Sequence, residues 1–221
     1  MAVAYDNSVQ ITGYTVVSLT TGSFTIGSGN TCAFLAVAGG YTGSAPTSPS
    51  GSAGGATASV LSGASCTDGA GDAAFALYAI NPASGSQTAS ASWTNTMDFA
   101  VLTVVTATGV DQATGMNNGN SNTDGYGPGV SVQITSTSGD LTTTCHFEGN
   151  AADGATTNQT IHVHTSGASC DTGPGTGTTT HTWTVAGGGN SAEVLVGGNF
   201  KAAAAAGGFA SSMTLGFTKG S

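Results

Sequence analysis

Four cysteines and four histidines are the residues of this chain best suited to metal, redox or nucleophilic chemistry. Zinc ligands usually come in close pairs such as Cys-x2-Cys. Here Cys32 and Cys66 stand 34 residues apart, and Cys145 and Cys170 stand 25 apart. A redox Cys-x-x-Cys is also missing, which leaves disulfides, and four cysteines allow three pairings. The pentapeptide SGASC occurs at 62–66 and again at 166–170, each copy following a strand-like stretch. In each half one cysteine lies on a strand and the other just past the next strand, the order of hairpin partners. That order favours Cys32–Cys66 with Cys145–Cys170. Pairing between halves, Cys32–Cys145 with Cys66–Cys170, ranks next, and four free thiols after it. Each favoured bridge would close a loop of about 25–35 residues, worth about 3–4 kcal/mol on chain entropy, and would form outside a reducing cytoplasm.

His162 and His164 lie two apart on one strand, opposite Ile161 and Val163. His146 and Glu148 lie on the preceding strand and would face them. Three imidazoles and a carboxylate suit a transition metal, but the polar outer face of an edge hairpin is the plainer reading and is preferred. His181 stands alone. Asn120, Asn122 and Asp124 before Gly125 echo a calcium loop, but the leading Asp and the bidentate Glu at the twelfth position are missing. A connecting loop is expected there. Asn158-Gln-Thr is a formal glycosylation sequon. No G-x-S-x-G, phosphate loop or conspicuous carboxylate pair occurs, so no catalytic residue, cofactor or enzymatic activity is expected.

The elements that must position these groups read as strands. Val130, Val132 and Ile134 alternate before a Ser-Gly-Asp turn, and the run from Phe99 to Val105 is short, apolar and β-branched. Residues 39–55 form a Gly/Ser/Pro loop. Five alanines from 202 are too few for a stable helix alone. The order Cys32, Cys66, Trp93 is repeated as Cys145, Cys170, Trp183, which suggests two related halves, about 1–110 and 111–201. Met213, Leu215 and Phe217 alternate in a final strand within 202–221, outside that plan, able to close its own sheet or to join a neighbouring subunit.

Composition narrows the partners. Lys201 and Lys219 are the only two basic residues against 11 acidic ones, giving a net charge of −9. Phosphate backbones and anionic membranes both need Lys and Arg, so neither is an expected partner, and no apolar run approaches the roughly 20 residues of a membrane span. Glycine, at 36 of 221 residues, and abundant Ala, Ser and Thr leave a thin core of Val, Ile, Leu and Phe. The start, MAVAYDNSVQ, lacks the charged and apolar regions of a secretory leader. A particle component released by lysis, or a mature chain whose leader has been removed, fits both that start and the polar surface.

Several phrases occur in a telling order: VAYDNSV, GSGNTCAFLAV, ALYAINPASGSQT, VVTATGVDQATG, STSGDLTTTCHF and WTVAGGGNSAEVLVGGNFK. Over residues 3–201 they resemble a jelly-roll β-sandwich family found in bacteriophage and metagenomic virion proteins and in some bacterial surface proteins. The resemblance implies an all-β antiparallel sandwich. The role it implies is structural, as a capsid decoration, fibre or tail surface protein that binds coat subunits and its own copies. It brings no catalytic residues. The four cysteines and the strand after Lys201 depart from the family pattern. The competing class is a secreted or cell-surface adhesive or glycan-binding module using Trp93, Trp183 or Tyr41 as a stacking platform; an extracellular filament subunit is a variant of the first.

Overall fold

The computed structural model describes residues 2–124, 129–148, 156–165, 167–185 and 192–204. Met213, Leu215 and Phe217 lie outside the described residues, as does Ser166 of the second SGASC. The described residues form strands and no helix. The first eight strands are β1 (Ala4–Thr20), β2 (Phe24–Ile26), β3 (Cys32–Gly40), β4 (Thr47–Ala53), β5 (Ala56–Thr67), β6 (Asp72–Ile80), β7 (Gly85–Gln87) and β8 (Ala89–Thr108). The next eight are β9 (Met116–Asp124), β10 (Gly129–Thr135), β11 (Leu141–Glu148), β12 (Thr156–Thr157), β13 (Thr160–Thr165), β14 (Ala168–Pro174), β15 (Thr178–Thr184) and β16 (Glu193–Phe200).

The all-β, antiparallel class expected from the sequence is the one formed. Six strands pair in the order β1-β8-β3-β6-β5-β4, and β4 also pairs with β8, so β8, β3, β6, β5 and β4 close into a ring. Strand β8 makes this closure by serving two neighbours on one edge. Its first part, through Thr94, pairs with β4, and its second part, from Phe99, pairs with β3. Asn95, in the left-handed region at φ 63°, lies between the two parts. Glycine makes room for the crowding, since a Cβ on Gly39 would come within 2.0 Å of Phe99 O.

Period-two alternation then assigns each side chain to a core. On β8, Ala100, Leu102 and Val104 point into the ring with Leu35, Leu77, Met97 and Trp93. Val101, Val105 and Ala107 point outward and meet Phe147, Val194, Val196 and Phe200 of a second sheet, ordered β13-β14-β11-β16-β9. Phe99 and Phe147 stack across this interface, with ring centroids 5.9 Å apart. The far face of the second sheet is covered by a third, β10-β15-β12, through Val130, Val132, Ile134, Trp183 and Leu195. Strands β11 and β16 are therefore buried on both faces. The paired strands β2 and β7 add Phe24 and Ile26 to the ring's core. Strands β1–β8 build the ring sheet and this small pair, while β9–β16 build the other two layers.

Candidate functional site

The densest chemistry lies between the β11-centred sheet and the β10–β15 layer. Strand β11 directs Thr142, Thr144, His146 and Glu148 to that face. Register brings Asp171 opposite Thr144, Ser169 opposite His146, and Glu193 opposite Glu148. From the covering layer, the alternation of Thr-Thr-Thr-His-Thr-Trp-Thr sends Thr179, His181 and Trp183 inward and leaves Thr178 and Thr184 exposed. These inward groups are all buried.

Asp171 is the hub. Its Oδ1 accepts from Thr144 Oγ1 at 2.7 Å and from His181 Nδ1 at 2.8 Å, and its Oδ2 accepts from Thr157 Oγ1. His181 Nε2 lies 2.9 Å from Thr142 Oγ1, which donates its own proton to Gly173 O at 2.9 Å. The Thr142 hydroxyl proton is thus turned to Gly173 O and away from the imidazole. Trp183 Nε1 donates to Thr144 Oγ1 at 3.0 Å, and the Trp183 ring stacks on His146 at 5.3 Å. His146 Nε2 in turn meets Glu193 Oε2 at 2.8 Å, both side chains being 1% exposed.

Thr142, His181 and Asp171 thus form a hydroxyl–imidazole–carboxylate line, the outline of a nucleophilic triad. Two features decide against that chemistry. The Thr142 hydroxyl donates to Gly173 O and not to the imidazole, and Thr142 has no exposure for a substrate to reach. What the arrangement does is tie β11, β14 and β15 together through mutually satisfied polar groups, which fix register where apolar contacts would tolerate slippage.

The histidines weighed as weak metal candidates, His146, His162 and His164, are not placed as one cluster with Glu148. His146 faces the β10–β15 layer, whereas His162 lies on the other face, its Nε2 2.6 Å from Thr172 Oγ1 and its ring stacked on Tyr5 at 3.6 Å. The physical cause is a register shift between Ile161 and Val163, which breaks the alternation assumed for the pair. His164 stands opposite Ser169 in the ladder. Among the described residues no group of three or more His, Cys, Asp or Glu is placed to hold a metal ion.

The expected loop at Asn120 and Asn122 is instead strand β9. Asn118, Asn120 and Asn122 each donate a side-chain amide to β10, on Thr135 O, Gln133 O and Ser131 O. This ladder replaces backbone pairing between the two layers. The sequon residue Asn158 is spent similarly, donating to Thr180 O and accepting from Thr182 N. Trp93 and Trp183 are buried and cannot serve as stacking platforms, while Tyr41 is half-buried.

All four cysteines are thiols in this structure. The Cys32–Cys66 pairing is corrected. Cys32 is opposite Ile80 on β6, while Cys66 is opposite Ala74, six residues along the same strand and on its other side. That offset is roughly 20 Å along the strand direction, with two strand spacings across, whereas a bridge spans less than about 7 Å between Cα atoms. Cys145 and Cys170 are direct cross-strand partners. Burial pushes both the Cys32 and Cys145 thiols well up, Cys145 further through its Cys170 neighbour, and raises Cys66 to about 11. In the two SGASC copies the glycines share a left-handed backbone, φ 84° at Gly63 and φ 87° at Gly167.

A second acidic feature escaped the sequence. Asp68 Oδ1 accepts the backbone amides of Ala70, Gly71 and Asp72 at 2.8–2.9 Å, closing the turn before β6. Burial, and secondarily the Asp68 charge, push the Asp72 carboxyl up to about 6. No protein-family model matches the chain, and no curated protein matches it in sequence.

Proposed function

We propose that this chain is a non-enzymatic structural protein of a virus particle, a capsid decoration or fibre or tail surface component that binds neighbouring coat subunits and its own copies. The observation that carries this reading is β1, a long strand whose backbone pairs, among the described strands, with β8 alone, with Tyr14 74% exposed and Val17 47% exposed. Open strand edges with large apolar side chains are costly to leave uncovered and are the usual templates for strand addition. Chemistry-bearing groups elsewhere are spent on internal packing, and residues 7–67 carry no charged side chain. Such a surface suits contacts made by shape and backbone pairing. A jelly-roll kinship, related halves and a part in assembly for Met213, Leu215 and Phe217, which lie outside the described residues, belong to the same proposal. A glycan-binding module is less favoured, because both tryptophans proposed as platforms are in the core.

The test compares the full chain, a variant ending at residue 206, and Tyr14→Ser/Val17→Thr. Light scattering on a size-exclusion column and co-sedimentation with coat particles are the readouts. Loss of assembly with retained circular dichroism in either variant supports the proposal. Assembly and particle binding unchanged in both, or a monomer that binds glycans, would overturn it.

A further inference from the structure

We propose that Cys145 and Cys170 are the disulfide site of this chain, one bridge stapling β11 to β14, with Cys32 and Cys66 left as thiols. The two are exact register partners, between the Thr144–Asp171 and His146–Ser169 pairs. Directly opposed residues on antiparallel strands have Cα atoms about 4.5–5.5 Å apart, within the span a disulfide requires. Both side chains point into the core between the ring and the second sheet, and Cys170 Sγ lies 2.9 Å from Thr144 O. On their other sides Cys145 faces Val196 and Cys170 faces Val163, so an S–S bond gives up only weak thiol contacts, those of Cys170 with Thr144 O and Thr143 Oγ1 and that of Cys145 with Thr103. No such partner exists for the other two cysteines. Cys32 is flanked by Ile80 and Ala107, and Cys66 is opposite Ala74.

The oxidant is a small-molecule disulfide of the glutathione class. One protein thiol loses its proton and its thiolate attacks a sulfur of that disulfide, whose S–S bond breaks and releases one small thiolate, which takes up a proton. The second protein thiolate then attacks the mixed disulfide, forming the Cys145–Cys170 bond and releasing the second small thiol. Two protein thiols are oxidised and one small disulfide is reduced to two thiols. Both sulfurs are buried, so exchange proceeds during folding or when the β13–β14 edge opens.

The test refolds the full chain either in a mixed glutathione buffer or in a reductant. Alkylation under denaturing conditions, intact mass and non-reducing peptide mapping follow. The expected product is about 2 Da lighter than the reduced chain, links the Cys145 and Cys170 peptides, and alkylates at Cys32 and Cys66 only. Its melting temperature should exceed that of the reduced chain by roughly 5–10 °C. Four alkylated cysteines after oxidative refolding, or a link involving Cys32 or Cys66, would overturn the assignment. An unchanged melting temperature in the linked chain would overturn the stapling role. Neither result depends on whether the protein assembles, and mapping the wild-type chain needs no variant that might fail to fold.

Discussion

His181 Nδ1 and Asp171 Oδ1 lie 2.8 Å apart with neither side chain exposed, and this pair joins the covering β10–β15 layer to the sheet beneath it. Removing one member of a buried pair strands the other, at a cost of about 3–5 kcal/mol. His181→Phe keeps the volume but leaves the Asp171 carboxylate without its imidazole, so urea unfolding should show a loss of that size. The double variant His181→Phe/Asp171→Ala should cost clearly less than the sum of the singles, because no charge is left unpaired. Additive losses would show that the pair contributes no coupling.

Asp72 makes stability fall as pH rises. Its carboxyl is pushed up to about 6 from 3.8, by burial first and the Asp68 charge second. The folded chain therefore holds this proton more tightly than the unfolded chain does. The resulting stabilisation is fully present below about pH 4 and is lost as pH rises toward 6. Since the group is partly solvated, the effect is about 1–2 kcal/mol after screening. Asp72→Asn should be more stable than wild type at pH 7, with the gain gone at pH 4. Urea midpoints at the two pH values measure it, and an equal gain at both would contradict the sign.

The first SGASC has a backbone role that its glycine reveals. Gly63 sits at φ 84°, and a Cβ there would come within 2.4 Å of Gly119 O on β9. Gly63→Ala thus combines a disfavoured conformation with a clash against backbone, which cannot swing away. A loss of about 2–4 kcal/mol is expected from strain and displaced packing. Ala64→Gly, one residue along, tests the neighbouring buried site and should cost less. Chemical denaturation of the two variants side by side distinguishes them.

Strand identity was legible because alternation is local. Val130, Val132 and Ile134 declare one face of β10, and His181 with Trp183 could have been read the same way from their spacing of two. Asp171 could not, because its partners Thr144, Thr157 and His181 converge only through register between distant strands. Ring closure was hidden for the same reason, since nothing local tells β8 to change neighbours near Asn95. The shared face assumed for His162 and His164 is broken by a single register shift beside His162. Hairpin logic agrees with the register that sets Cys145 opposite Cys170, but not with the places of Cys32 and Cys66, because β5 and β3 are separated by β6.

Asp140 gives an opposite pH signature and holds the backbone just past β16. Burial pushes its carboxyl up, but this is outweighed by bonds from Ala202 N, Asn199 Nδ2, Thr137 N and Thr137 Oγ1, which hold it below 3.8. A depressed folded value contributes stability above the unfolded one, and that contribution is lost as pH falls through the folded value. Oδ1 takes Ala202 N at 2.8 Å, and Ala203 N bonds Gly109 O at 3.0 Å, so the carboxylate anchors the exit from β16. Asp140→Asn keeps the shape but weakens charge-assisted acceptance, and should cost about 1–3 kcal/mol at neutral pH. The deficit should shrink on acidification, as the wild type loses the same charge. Hydrogen exchange localises the effect: the Ala202 amide should exchange much faster in the variant, while the Val196 amide, buried on both faces of its sheet, should follow global stability alone. Equal acceleration at both amides would mean that Asp140 supports the whole fold instead of this anchor.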